Sequence, residues 1–198
     1  MMSDVIDTLA GIAPGSPLDA IRNGRLQART HAQASHDSLF KPLTEADASK
    51  LERLAIACFV AGLHGRPEIE AFYGTALAEA GAPAAWKGAI AAAVAAAKGQ
   101  GPYGHYPKGP LSAEDKAGPV CKIGAAERSA LGVRLAAAFE HTHMLVFHPR
   151  DAAPPYLQAL IDAGWSATAI VVISQLVAFL SYQIRVVAGL RVLKARPA

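Results

Sequence analysis

Apolar residues recur at helical spacing along most of the chain, and the first strong run, "LTEADASKLERLAIACFVAGLHG", predicts a helix. Its apolar residues share one stripe, as in an amphipathic helix: Leu51, Leu54, Ala55, Cys58 and Phe59. Thr44 is its predicted N-cap, with Asp47 three residues further on, a weaker form of the Ser/Thr–Glu capping box. Two more helices follow, "RPEIEAFYGTALAEAG", closed at Gly81, and "APAAWKGAIAAAVAAAKG", which ends at Gly99.

The rest of the chain reads as a polar arm, a long loop and three further helices. The predicted arm is residues 1–42, which we expect to pack across the surface or onto a neighbouring subunit. Residues 100–122 form a loop rich in Gly, Pro and Tyr, and loops of this length are often functional or intersubunit. The last helices are predicted from "GAAERSALGVRLAAAFEHTHMLVF", "PPYLQALIDAG" and "SATAIVVISQLVAFLSYQIRVVAGLRVL". Because nothing follows a strand pattern, the predicted fold class is all-α.

The two halves of residues 43–198 resemble each other. Glu52-Arg53 aligns with Glu127-Arg128, and further along Tyr73 aligns with Tyr156. The offset grows from 75 to 83 residues, which places a short insertion in the second half. We therefore predict one domain built from two pseudo-symmetric helical repeats, because a unit of this kind cannot bury its apolar faces alone. Repeat one covers about 43–99, the linking loop 100–122 and repeat two about 123–198.

Composition and charge exclude several classes of function. Hydrophobic residues make up 52% of the chain and charged residues 18%, which favours a homo-oligomer that buries left-over apolar faces. The net charge of +3 is spread along the chain, so no nucleic-acid partner is predicted. The N-terminus has no basic segment typical of a signal peptide. The longest apolar run, residues 167–180, is too short to span a bilayer, so we expect no membrane partner and a cytoplasmic location.

The second half carries the motifs of a known family. Ala163-Gly164 is followed by Ser166, then by Ala169-Ile170, an apolar helix and Arg185. This order resembles the carboxymuconolactone decarboxylase and AhpD-like alkylhydroperoxidase family, and above all its two-repeat, peroxidase-related branch. The likeness runs from about Leu43 to Leu193, with alanine where the family usually has a glutamate before the isoleucine. It implies an AhpD-like helical fold and an oxidoreductase or decarboxylase activity.

Active members resemble one another around a Cys-x-x-Cys motif followed by histidine, which reduces hydroperoxides and closes to a disulfide. Laid over the first repeat here, the two cysteine positions fall at Arg66 and Ile69, and the histidine positions fall at Phe72 and Tyr73. No side chain at these four positions, called the family slot below, can act as a redox thiol. The resemblance therefore implies a peroxidase-related protein without thiol peroxidase activity. Arg66 is a candidate anion ligand at a helix start, or a surface arginine without that role.

The stretch "FEHTHMLVFHPRD" supplies the candidate catalytic residues Glu140, His143 and His148. Glu140 and His143 lie three apart and can share a helical face, which suits a proton relay, and His148 can join them after a chain reversal. They would serve an enzyme that moves protons on a small organic acid, lactone or hydroperoxide. Two alternatives remain open: Glu140 and His143 satisfy each other's hydrogen bonds inside a helical bundle, or the cluster binds a metal. The sequence predicts no metal site and no cofactor.

Tyr103, His105 and Tyr106 of the loop either line a ligand pocket or anchor the loop on a partner subunit. The candidate partners are a second copy of the chain, a small-molecule ligand and a catalytic paralogue. The two cysteines, Cys58 and Cys121, lie far apart in the sequence and have no metal-type pairing. Cys58 is predicted in the core and Cys121 nearer the surface.

Overall fold

The structure is a computed structural model that describes residues 4–195. Residues 1–3 of the predicted arm and residues 196–198 of the predicted second repeat lie outside the described residues. The described residues contain nine α-helices: α1 (Val5–Ala10), α2 (Pro17–Asn23), α3 (Leu26–Phe40), α4 (Lys50–Leu63), α5 (Pro67–Glu79), α6 (Ala84–Ala97), α7 (Ala125–Phe147), α8 (Pro154–Asp162) and α9 (Ala167–Ala195). Short 3₁₀ turns span Pro110–Glu114 and Pro149–Asp151. No strand occurs in residues 4–195, where Gly104 and Lys116 form an isolated bridge. The all-α prediction is confirmed.

Helix α4 is the centre of the bundle, and it packs against α5, α6, α7 and α9. Every residue from Arg53 to Leu63 is buried, so the helix is enclosed on all sides rather than on the predicted stripe alone. Phe59 stacks on Phe139 of α7 with 4.3 Å between ring centroids. Helix α6 approaches so closely that a Cβ on Gly62 would meet Val94 at 2.6 Å, which explains the glycine there.

Helix α4 begins six residues after the predicted Thr44 cap, and Ser49 caps it instead. The Ser49 side chain accepts from the Glu52 backbone N–H while the Glu52 carboxylate accepts from the backbone N–H of Ser49, a complete capping box. Thr44 accepts only from the Ala46 N–H in the turn before it. The cap prediction was wrong because a full Ser–Glu pair outcompetes the Thr–Asp pair upstream.

The turns after α5 and α8 are alike. Gly81 and Gly164 both have positive φ, and each follows an alanine. The next residue donates in each case to a leucine carbonyl five positions back, Ala82 to Leu77 and Trp165 to Leu160. These bonds follow the Schellman pattern that ends many helices. The boundaries agree with the predicted 83-residue offset, while pseudo-symmetric packing of the two halves stays a prediction.

The N-terminal arm lies on its own chain. Helices α1, α2 and α3 pack against α9, and Arg22 binds Asp4 at 2.7 Å and Asp7 at 2.9 Å in a largely buried ion cluster. Arg191 of α9 donates to the Leu9 carbonyl. The arm therefore packs across the chain's own surface, and its contact with a neighbouring subunit stays a prediction.

Helix α9 runs to Ala195, well beyond the apolar run that ends at Leu180. The shortness of that run was the reason to expect no membrane span, and the length of the observed helix removes that reason. It is long and apolar enough to cross a bilayer by length and composition, and 44% of its most apolar window is buried in the described chain. A core helix of a soluble protein meets the same criterion. The absence of a membrane partner and the cytoplasmic location therefore stay predictions.

Candidate functional site

Three of the four positions of the family slot, at the start of α5, hold packed side chains. Ile69 and Tyr73 are buried and Phe72 is half-buried against the core. The Tyr73 hydroxyl donates to Gln183 Oε1 of α9 at 2.7 Å, and its ring stacks on Phe40 with centroids 5.2 Å apart. Burial raises the pKa of Tyr73 well above its usual value, so the hydroxyl keeps its proton.

Arg66 precedes α5 and is exposed, with no side-chain hydrogen bond that caps the helix. Its position at a helix start agrees with either reading of the sequence, an anion ligand or a surface arginine. It lines none of the cavities described below.

Both cysteines are free thiols, and neither is set up as a thiolate. Cys58 is buried in α4, where burial and the charge of Glu70 raise its pKa to about 12. Cys121 is half-buried after the long loop, and burial followed by the charge of Glu140 raises its pKa to about 11. A redox thiol needs a lowered pKa, so both environments oppose thiol chemistry.

The C-terminal half of α7 brings Glu140 and His143 to one small cavity of about 60 Å³, with His148 at the end of the helix. Eleven residues line it: Val120, Cys121, Lys122, Ala137, Glu140, His141, His143, Met144, His148, Tyr156 and Ala159. A second cavity of about 310 Å³ lies between α6, the end of the loop and the start of α7. The two cavities share Val120, Cys121, Lys122 and His143.

Glu140 holds the end of the loop against α7. Its carboxylate accepts from Arg128 at 2.5 Å, from the Ile123 backbone N–H at 3.0 Å and from Lys122 at 3.3 Å. In the described part of the chain these cationic and backbone donors engage the carboxylate, and His143 is not among them. The expected Glu140–His143 relay has its two members on one cavity without a direct hydrogen bond between them.

Three ionisable side chains line both cavities: those of Cys121, Lys122 and His143. Of these, His143 is the imidazole. Its side chain is 98% buried, since the residue is 2% exposed. Burial, reinforced by the neighbouring His148, lowers its pKa, and a hydrogen bond with the Ala97 backbone partly opposes this. A neutral imidazole has one donor and one acceptor nitrogen, so His143 can accept a proton at neutral pH.

His148 ties the loop to the end of α7. Its Nε2 lies 2.8 Å from the Pro119 carbonyl oxygen, and its Nδ1 lies 3.2 Å from Asp151 Oδ2. The His143 and His148 rings are 5.8 Å apart. His148 is the C-cap residue of α7 and reaches the site directly from the end of that helix, so the chain reversal expected for it is not needed.

His141 lines the small cavity as well, although its spacing of two residues from His143 argued against a shared role. Its Nε2 lies 3.3 Å from Ser174 Oγ of α9, and its buried Nδ1 has no hydrogen-bond partner. Burial lowers its pKa to about 4. The two rings therefore line the same cavity, although residues two apart on a helix point in different directions.

The loop residues Tyr103, His105 and Tyr106 line neither cavity. The Tyr103 ring is buried beside Phe147 and His148, and a Cβ on Gly118 would meet it at 2.2 Å. The exposed His105 binds Asp151 through its backbone N–H at 3.0 Å. The guanidinium of Arg150 lies 4.1 Å from the centre of the Tyr106 ring. They anchor the loop on the protein's own chain, which leaves a ligand-binding role for them as an untested prediction.

Asp151, Pro119 and Lys122 complete the site but did not stand out in the sequence analysis. Asp151 lies three residues after His148, which was a usable signal, whereas the Pro119 carbonyl is a backbone group brought there by the loop. No group of three or more His, Cys, Asp or Glu residues within residues 4–195 is arranged to hold a metal ion.

Comparison with family models, with curated proteins and with solved structures gives no match to this chain.

Proposed function

We propose that this chain is an AhpD-like, peroxidase-related helical protein that has lost thiol peroxidase chemistry and binds a small molecule at His143, where that imidazole accepts a proton. The observation that carries the proposal is the position of His143, buried, held neutral and placed where two cavities adjoin. The packed family slot and the raised thiol pKa values support the loss of the redox couple.

The cavities favour a ligand with an apolar body and one polar group. The larger cavity is lined by Ala93, Ala96 and Ala97 of α6 and by Ile123, with Lys122 and Glu127 as its charged residues. An apolar body suits the alanines, while a carboxylate, a lactone carbonyl or a hydroperoxide oxygen suits the donors at Lys122 and His143. Small organic acids and lactones are therefore the ligand class of this proposal, with hydroperoxides as a further member.

Each polar residue has a distinct role in this proposal. His143 takes a proton from a bound lactone or hydroperoxide, because its imidazole is neutral at pH 7 and has one nitrogen that can accept, although burial makes it a weaker base than a free histidine. A bound carboxylate has already lost its proton and accepts from the N–H of His143 instead. Glu140 is a positioning residue, since its carboxylate fixes Lys122 and the Ile123 backbone in the cavity wall. His148 holds Pro119 and so fixes the same wall from the other end.

A binding experiment on histidine-labelled protein tests the proposal. Benzoate, γ-butyrolactone and cumene hydroperoxide are titrated separately while the ring signals of the histidines are followed by NMR. We expect at least one probe to shift the His143 signal and to lose its binding in His143→Gln. The control is His31→Gln, an exposed residue of α3, which should leave binding unchanged. If no probe at 20 mM moves the His143 signal, the proposal is wrong.

A non-catalytic role as an oligomeric partner is the second candidate. The exposed face of α9 favours it, because Val171 and Tyr182 are 55% and 43% exposed there. Such a protein would form a stable complex with a second chain and turn over none of the three probes. The same titrations separate the two roles, because binding of a probe at His143 supports the first and its absence supports the second.

A further inference from the structure

Helix α9 carries a narrow exposed seam with a regular spacing. Between Ala169 and Arg191, six residues are exposed and all others are buried or half-buried. The six lie alternately four and three residues apart: Val171, Gln175, Ala178, Tyr182, Arg185 and Gly189. Thr168 and Val192 extend the series at the two ends. This spacing marks a single stripe along one side of the helix, narrow like the contact strip of two packed helices, and the eight positions span about 36 Å at about 1.5 Å per residue.

We propose that this seam is the interface of an antiparallel homodimer, in which α9 packs on α9 of a second copy. The two-fold axis would pass between Ala178 and Tyr182. Each contact then occurs twice, as an isologous interface requires. The proposal names the homo-oligomer that the composition favours and does not depend on the function proposed for the His143 cavities.

The sequence of the seam matches itself in this register. Ala178 faces Tyr182 of the second copy, so a small side chain meets a large one. In the same way Val171 faces Gly189 of the second copy, and nothing lies within 4 Å of the position a Cβ on Gly189 would take. Large side chains opposite small ones allow close packing of two helices.

The one charged position of the seam also favours the antiparallel arrangement. Arg185 would face Gln175 of the second copy, a polar pair. In a parallel pair, Arg185 would face its own copy, and two like charges at a helix contact are unfavourable. Charge therefore selects the direction, and side-chain size selects the register.

A groove beside the centre of the seam widens the contact. A cavity of about 590 Å³ runs between α3 and α9, lined by Ala28, His31, Ala32, Ser35, Ser38, Leu39, Gln175, Ala178, Phe179 and Tyr182. Its α3 wall combines alanines and serines with His31 and Leu39 and has no carboxylate or lysine. The helix strip alone, about 36 Å by about 10 Å, supplies less than half of the about 800 Å² that a standard interface buries on each partner. The groove beside the two-fold axis supplies further area for Tyr182 of the second copy.

Opposite charges placed at Gln175 test both the interface and its direction. Gln175→Glu would gain two symmetric ion pairs with Arg185 of the second copy, and Gln175→Lys would gain two repulsions. At 50 mM NaCl we expect the glutamate to tighten the dimer by about 2- to 30-fold, the range for two exposed pairs, and the lysine to weaken it by a similar factor. Sedimentation velocity of the full chain from 1 to 200 µM measures the dissociation constant of each variant.

Matched controls and clear counter-results accompany this test. Gln158→Glu and Gln158→Lys, on the exposed face of α8, carry the same charge changes and should leave the dissociation constant unchanged. A wild-type chain that is monomeric at 200 µM would overturn the proposal. Equal effects of the two Gln175 variants would also overturn it. If both variants weaken the dimer, the two helices are parallel, and if neither changes it, the dimer uses another surface. Flotation of the chain with phosphatidylcholine vesicles would replace the proposal with a membrane role for α9.

Discussion

The buried hydrogen bond between Tyr73 and Gln183 offers a quantitative test of the filled family slot. Gln183 has no exposed surface, and its Nε2 already has no partner in the described residues. Tyr73→Phe would leave the Gln183 oxygen without its 2.7 Å donor as well. Leaving a buried polar group unpaired costs about 1–3 kcal/mol. For a chain of this length about 2 kcal/mol lowers Tm by roughly 4–8 °C.

The double variant gives the sharper result. Gln183→Met keeps an unbranched side chain and removes both amide atoms, so combining it with Tyr73→Phe replaces the polar pair by two apolar groups. We expect the double variant to recover most of the loss, with a coupling energy of about 1–2 kcal/mol in urea unfolding. Tyr106→Phe, whose hydroxyl is not part of this pair, should change stability by less than about 0.5 kcal/mol. Additive losses in the double variant would refute the reasoning that Tyr73 and Gln183 form a structural pair.

Three further predictions concern capping, pH and the thiols. Ser49→Ala should cost about 1 kcal/mol in urea unfolding because it breaks the α4 capping box, whereas Thr44→Ala should cost clearly less. The pKa of His141 is about 4 in the folded chain and about 6.5 in the unfolded chain. Its contribution to stability is therefore complete above pH 6.5 and is lost as the pH falls towards 4. The urea midpoint should fall less steeply across this pH range in His141→Leu than in the wild-type chain. Iodoacetamide at pH 7.5 should alkylate Cys121 slowly and Cys58 more slowly still, and fast modification of either would contradict the raised pKa values.

Local sequence patterns predicted much of the helical framework. The spacing of Leu51, Leu54 and Phe59 indicated α4, and the glycines after α5 and α8 end those helices at the expected positions. Local patterns could not give the kink in α7, where Gly132 takes a non-helical conformation with φ of 81°. A glycine inside a helical pattern is compatible with a straight helix or with a break.

The candidate site was predictable only where neighbours along the helix decide it. The three-residue spacing placed Glu140 and His143 on one cavity. It could not reveal that Arg128 and the Ile123 backbone occupy the Glu140 carboxylate, because these partners arrive from the far end of α7 and from the loop. The contact of His148 with the Pro119 carbonyl joins residues 29 positions apart and has no local signature.

Consumption of cumene hydroperoxide tests the central claim most directly. The purified chain is incubated with the peroxide and dithiothreitol, beside the matched Cys58→Ser plus Cys121→Ser variant. A chain without a redox thiol couple should consume the peroxide no faster than dithiothreitol alone, and the serine variant should give the same rate. Multiple turnovers by the wild-type chain that disappear in the serine variant would contradict this account.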